Sequence, residues 1–169
     1  IIIPKVSDQV DYEAELAVII GRPGKHIPEA QAMEHVAGYT VFNDISARDL
    51  QFRGGQWIKG KALDTFAPLG PYIVTKDEVQ DPHRLKIGLK LNGSTMQESS
   101  TDKLIFNIPR LISFLSQLFT LETGDIIATG TPSGVGFTRQ PPIFLRHGDE
   151  VKVIIGQVGE LVNPVVEEE

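Results

Sequence analysis

The stretch Asp-Tyr-Glu-Ala-Glu-Leu-Ala-Val-Ile-Ile-Gly, Asp11 to Gly21, constrains this chain more than any other. Its apolar side chains fall at Tyr12, Ala14, Leu16, Val18 and Ile20, and its acids at Asp11, Glu13 and Glu15. Alternation over this length predicts a half-buried strand. A helix would put Glu13 and Glu15 on roughly opposite sides. A strand puts both on one face, about 7 Å apart along the chain. Carboxylates so close raise each other's pKa unless a cation lies between them. From this stretch alone, a solvated outer face is the competing reading.

The remaining pattern is rich in turns. Pro28 opens a short helix expected over Glu29 to Ala37, with Gly38 just past its end. Tyr39 to Asn43 is β-branched and aromatic and predicts a second strand running to Asp44. Ile45 to Leu50 reads as a turn entering one helical turn. Gln51 to Gly60 reads as a polar loop with Trp57 and Ile58 as its apolar anchor. Tyr72 to Val74 ends an extended segment. Leu85 to Leu91, Asn92-Gly93 and Thr95 to Glu98 form a hairpin signal. Asn107 caps and Pro109 starts the longest helix, whose stripe of Leu111, Ile112, Leu115 and Leu118 is expected to pack into the core. Asp125 to Thr129 is a strand, and Glu150 to Ile155 with Glu160 to Val166 is another hairpin. The Glu167-Glu168-Glu169 tail is expected to fray. Strands outnumber helices, so the expected class is α+β, dominated by β-structure.

The 169 residues, with 41% hydrophobic content, suit one globular domain over residues 1–169. Because the chain opens on Ile1-Ile2-Ile3-Pro4, a strand already under way, we expect further residues before Ile1. A net charge of −6 argues against nucleic-acid binding. The absence of cysteine removes disulfides and thiolate metal sites. No apolar run reaches membrane-spanning length. A cytoplasmic location is expected, with the mitochondrial matrix as the eukaryotic alternative.

Three acids and no ligand-spaced histidine would select a hard cation with oxygen ligands, Mg²⁺ or Mn²⁺, with Ca²⁺ also possible. Asp44 joins Glu13 and Glu15 if it faces them from the end of its strand. Lys61 reads either as a cleft lysine or as a surface one. Arg48 and Asp49 read as a local ion pair. The Gly130 to Gly136 loop lacks the lysine and the glycine spacing of phosphate-binding loops. It still offers backbone N–H groups and the Thr131 hydroxyl to an anion such as a carboxylate, with a plain tight turn as the alternative. His26, His35, His83 and His147 read as surface or turn residues, and no serine triad is present.

Four stretches carry a specific resemblance: Asp11 to Gly21; Gly38-Tyr-Thr-Val-Phe-Asn-Asp-Ile-Ser-Ala-Arg-Asp49; Gly60-Lys-Ala-Leu-Asp-Thr-Phe-Ala-Pro-Leu-Gly70; and Gly124-Asp-Ile-Ile-Ala-Thr-Gly-Thr-Pro-Ser-Gly-Val-Gly136. In order and spacing the chain resembles the fumarylacetoacetate hydrolase family. Gln140 to Asp149 is similar to its domain-containing subgroup. The resemblance implies a mixed β-sandwich roll, usually a homodimer, with Glu13, Glu15 and Asp44 as Mg²⁺ or Mn²⁺ ligands. It implies Lys61 at a substrate oxygen, Thr131 at a substrate carboxylate, and Arg48 and Gln51 among the substrate contacts. The substrate implied is a small 2-oxo acid, converted through an enolate stabilised by the cation and Lys61.

The first expectation is hydrolysis of a C–C bond in a β-diketo or acylpyruvate-type acid. The second is decarboxylation, tautomerisation or isomerisation of a 2-oxo dicarboxylate such as oxaloacetate. The third is a binding protein without turnover. Many smaller members carry a His/Glu pair on a lid upstream of the Glu-x-Glu strand. Such a lid would lie before Ile1.

Overall fold

The computed structural model describes residues 1–169. Twelve strands run β1 (Ile2–Ile3), β2 (Val10–Asp11), β3 (Ala14–Ile20), β4 (Val36–Asn43), β5 (Ser46–Ala47), β6 (Leu69–Thr75), β7 (Lys86–Leu91), β8 (Ser94–Ser100), β9 (Ile126–Ala128), β10 (Glu150–Ile155), β11 (Gly159–Pro164) and β12 (Val166–Glu167). Three α-helices are interspersed: α1 (Arg48–Gln51), α2 (Ile58–Lys61) and α3 (Ile108–Leu118). The class is α+β with strands dominant, as the pattern indicated.

Two four-stranded sheets, ordered β6-β4-β3-β9 and β11-β10-β7-β8, form the body. Their pairings are antiparallel throughout. They pack face to face, β7 and β10 against β3, and β10 and β11 against β4. One apolar cluster fills the interface, and the alternate residues Tyr12, Ala14, Leu16, Val18 and Ile20 all belong to it. The predicted parity therefore holds for the core face.

The opposite face differs from expectation. Every residue of β3 is buried, Ala17 and Ile19 included. β3 is a central strand, paired along both edges by β4 and β9, and its second face is covered as well as its first. Glu15 is consequently buried on a protein-covered face, and the solvated-face alternative is excluded.

Local departures have local causes. The helix expected over residues 29–37 is a 3-10 helix, Glu29–His35, and Val36 and Ala37 already belong to β4. Gly38 does not end a helix: a Cβ there would collide with the Val74 carbonyl on β6, so glycine permits that strand pairing. The expected polar loop contains α1's last residue, a 3-10 turn at Arg53–Gly55 and α2. Trp57 and Ile58 do not anchor it, being 62% and 63% exposed.

On α3 the Asn107 side chain caps Arg110 N at 2.9 Å and Ile112 is fully buried, but Leu118 is exposed. The Asn92-Gly93 turn is as predicted, with both residues at positive φ (50° and 80°) and Leu91 paired to Ser94. The C-terminal acids are tied down. Glu167 pairs with Ile3 in parallel, and Glu168 accepts from Lys5 N at 2.7 Å.

Candidate metal and substrate site

Strand register builds the site. β3 and β4 pair with Ala14 opposite Asn43 and Glu15 opposite Phe42, so Asp44 falls opposite Glu13. The Asp44 N–H donates to the Glu13 carbonyl at 2.9 Å. Residues directly opposite on antiparallel strands share a face, as do residues two apart on one strand. Glu13, Glu15 and Asp44 therefore converge, each offering a carboxylate oxygen within 4.8 Å of the others'.

Lys61 closes the cluster from α2. Its ammonium donates to Glu13 Oε2 at 2.8 Å and to Asp44 Oδ2 at 2.6 Å. Gly60 makes this approach possible, because a Cβ there would overlap the Ala47 carbonyl and Gln51 on α1. The side chain is only 19% exposed, so the surface alternative for Lys61 does not hold.

Behind Glu13 lies a second charged group. The Arg48 guanidinium pairs with Asp11 Oδ2 at 2.9 Å and Glu13 Oε1 at 2.7 Å, and donates to Gln51 Oε1 at 3.0 Å. It also stacks 4.4 Å above the Phe137 ring centroid. The expected local pair of Arg48 with Asp49 does not form; Asp49 instead accepts from the Ser7 hydroxyl at 2.5 Å. Helix α1 turns adjacent residues to different sides, which separates the two. Arg48 and Gln51 are both buried; Arg48 Nε and Nη1 are committed to Asp11, Glu13 and Gln51, and its Nη2 is buried without a hydrogen-bond partner.

The Gly130 to Gly136 loop does offer its amides to carboxylates, and they are the protein's own. Gly130 N donates to Glu15 Oε2 at 2.8 Å. Gly136 N and Phe137 N donate to Asp11 at 2.7 and 3.0 Å. Thr131 follows Gly130 and lines a cavity of about 580 Å³ shared with Ser99, Lys103, Ile105 and Phe106.

Three supporting residues escaped the sequence reading. Asp11 had a signal, since it shares parity with Glu13 and Glu15. Asn43, whose Oδ1 accepts from Glu13 N at 3.0 Å, and Gln97, buried on β8, had none.

The charges test whether a cation fits. Asp11, Glu13, Glu15 and Asp44 face only Arg48 and Lys61, which leaves two negative charges uncompensated when all four acids are ionised. Burial pushes the Glu15 carboxyl up to about 8, with Gly130's amide opposing and the Asp44 and Glu13 charges adding to the rise. Burial likewise raises Asp44, against the pull of Lys61. Such a set fits one hard divalent cation, which would supply the missing charge to oxygen-only ligands.

Comparison with known proteins decides the lineage. The family model described as "Fumarylacetoacetate (FAA) hydrolase C-terminal" matches residues 1–166. The chain belongs to the fumarylacetoacetate hydrolase family. It is 54% identical over 168 residues to the mitochondrial oxaloacetate tautomerase FAHD2A of Bos taurus, covering 98% of this chain and 54% of that protein.

Among solved structures, it matches the 5-carboxymethyl-2-hydroxymuconate delta-isomerase of Mycobacterium smegmatis with a TM-score of 0.91 and 45% identity, over 100% of this chain and 63% of that one. It matches the maleylpyruvate hydrolase of Sphingobium sp. SYK-6 with a TM-score of 0.88 and 38% identity, over 99% and 60%. The chain spans about half the length of the curated family members it matches. No helix is long and apolar enough to cross a membrane.

Proposed function

We propose that this chain carries the catalytic domain of a divalent-metal-dependent tautomerase acting on a small 2-oxo dicarboxylate such as oxaloacetate. The observation that carries the proposal is the convergence of Glu13, Glu15 and Asp44 beside the Lys61 ammonium. The high identity to an oxaloacetate tautomerase favours this substrate over the C–C cleavage expected first. The same likeness supports the mitochondrial matrix as the compartment.

Mg²⁺ or Mn²⁺, held by Glu13, Glu15 and Asp44, would supply Lewis-acid stabilisation of the enolate. Arg48 and Gln51 fix the far side of Glu13 and, through Asp11, the loop that carries Thr131. Of Lys61's three ammonium hydrogens, two are directed at Glu13 and Asp44. The Asp44 carbonyl, at 3.5 Å, is at the outer limit of a hydrogen bond. Lys61 thus keeps a donor for the oxygen that becomes the enolate. Tautomerisation removes a proton from the carbon beside the keto group and adds one to oxygen, so no water is consumed.

Hydrolysis is the second reading, supported by the likeness to maleylpyruvate hydrolase. It needs, beyond the cation and Lys61, a group that activates water, the part that a His/Glu pair on a lid plays in many smaller members of the family.

The test compares oxaloacetate keto–enol conversion, followed by ultraviolet absorbance, with acetylpyruvate cleavage, each with Mg²⁺ and with EDTA. Mg²⁺-dependent conversion of oxaloacetate above acetylpyruvate cleavage is the expected result. Conversion unaffected by EDTA would reject the reading, and faster acetylpyruvate cleavage would favour the hydrolase.

A further inference from the structure

Gln97 sits on β8 opposite Leu89 and is 1% exposed. Its Oε1 accepts from Ala14 N at 3.0 Å, a contact only the carbonyl end of the amide can make. That fixes which end points where. Nε2 therefore donates to Thr131 Oγ1 at 2.9 Å and to the Pro132 carbonyl at 2.8 Å. Both of its hydrogens are used. A hydroxyl has one hydrogen and two lone pairs. With Gln97 donating into one lone pair, the Thr131 hydrogen must be directed to something other than Gln97.

Thr131 follows Gly130, whose amide holds Glu15, and both residues line the cavity that Lys103 also borders. We propose that Gln97 is a positioning residue that sets Thr131 as a hydrogen-bond donor toward a carboxylate ligand in this cavity. Carboxylate oxygens only accept, so a threonine held in the donor state suits them and disfavours a hydroxyl ligand that must itself donate. Ala14, the first residue of β3, lies between Glu13 and Glu15, so one buried amide also ties Thr131 to the backbone between two of the acids. The inference rests on the cleft binding a 2-oxo acid, and it names a residue outside the metal and Lys61 constellation.

The test uses oxalate, which presents paired carboxylate oxygens, titrated calorimetrically into Mg²⁺-loaded protein. Gln97→Glu keeps an acceptor for Ala14 N but replaces the donors facing Thr131 by an acceptor, which turns the Thr131 hydroxyl back toward position 97. Gln97→Glu and Thr131→Val should each weaken oxalate about tenfold, the effect of one charge-assisted hydrogen bond. The double variant should lose no more than either single one. With oxaloacetate, KM should rise more than kcat falls, and Mg²⁺ affinity without oxalate should stay within about twofold.

If Gln97→Glu lowers the melting temperature so far that it is unfolded, Gln97→Met is read in its place. Wild-type oxalate affinity in the folded Gln97 variant, or losses that multiply in the double variant, would overturn the proposal. Failure of the wild type to bind oxalate with Mg²⁺ would overturn it together with the 2-oxo acid reading. Oxalate coupling without oxaloacetate conversion would reject only the tautomerase.

Discussion

The Asp44 N–H donates to the Glu13 carbonyl at 2.9 Å, and this backbone bond holds together two segments separated by the whole of β3 and β4. It sets the register that puts a third acid on the face of the Glu-x-Glu pair. Slipping the pairing by one residue would turn the Asp44 carboxylate to the other face of the sheet. The candidate metal site is therefore a consequence of strand pairing.

Glu15→Ala should lose metal binding and turnover together. Glu15 offers its second oxygen to Gly130 and is buried among the ligands, so no water-exposed neighbour replaces it. We expect a loss of about a hundredfold or more in turnover, since Lewis-acid stabilisation contributes several kcal/mol. Calorimetric Mg²⁺ titration and oxaloacetate conversion, run side by side, check this. A fully active Glu15→Ala protein would remove the metal assignment.

Lys61→Met should separate binding from chemistry. Lys61 occupies Glu13 and Asp44 oxygens that a cation would share, so its removal should leave Mg²⁺ affinity unchanged or tighter. Turnover should fall by about a hundredfold, the cost of removing one donor to a developing oxyanion. Weaker Mg²⁺ binding in Lys61→Met would mean that the lysine supports the ligands and does not compete with the cation.

The metal-free protein should lose stability as pH rises. Glu15 is raised from 4.5 to about 8 in the folded chain, so between these values the folded state holds a proton that the unfolded state has released. The unfolded state then binds fewer protons, and stability falls across that window and levels above it. Mg²⁺ favours the ionised carboxylate and should stabilise more strongly at pH 8 than at pH 5. Melting temperatures with EDTA and with Mg²⁺ across this range check the sign; a metal-free protein that gains stability from pH 5 to pH 8 would contradict it.

Asp11→Ala should destabilise by about 3 kcal/mol or more, because it strands the buried Arg48 charge and leaves the amides of Gly136 and Phe137 without their acceptor. Urea unfolding measures the cost. Arg48→Leu with Asp11→Leu together should recover part of it, since the guanidinium is no longer stranded and Glu13 keeps Lys61 as its cation.

Much of this site was legible in the residues, and what was not has a physical reason. Period-two alternation marks the inward face of β3, and the Asn-Gly turn marks the β7–β8 hairpin, since both signals are local. Burial of the other face depends on tertiary packing from distant parts of the chain, which no local pattern reports. The same holds for Arg48. Beside Asp49 it looked like half of a surface pair, yet its partners Asp11 and Glu13 lie 37 and 35 positions away in sequence. Gln97 carried no signal, because a glutamine in a strand is ordinary until Ala14 and Thr131 are brought to either end of its amide.

The most direct measurement is anomalous diffraction from crystals soaked in Mn²⁺. We expect a single strong peak with one oxygen each of Glu13, Glu15 and Asp44 at about 2.1 Å. Crystals with no peak there, or with the ion bound away from these three side chains, would contradict the metal site on which the proposed chemistry depends.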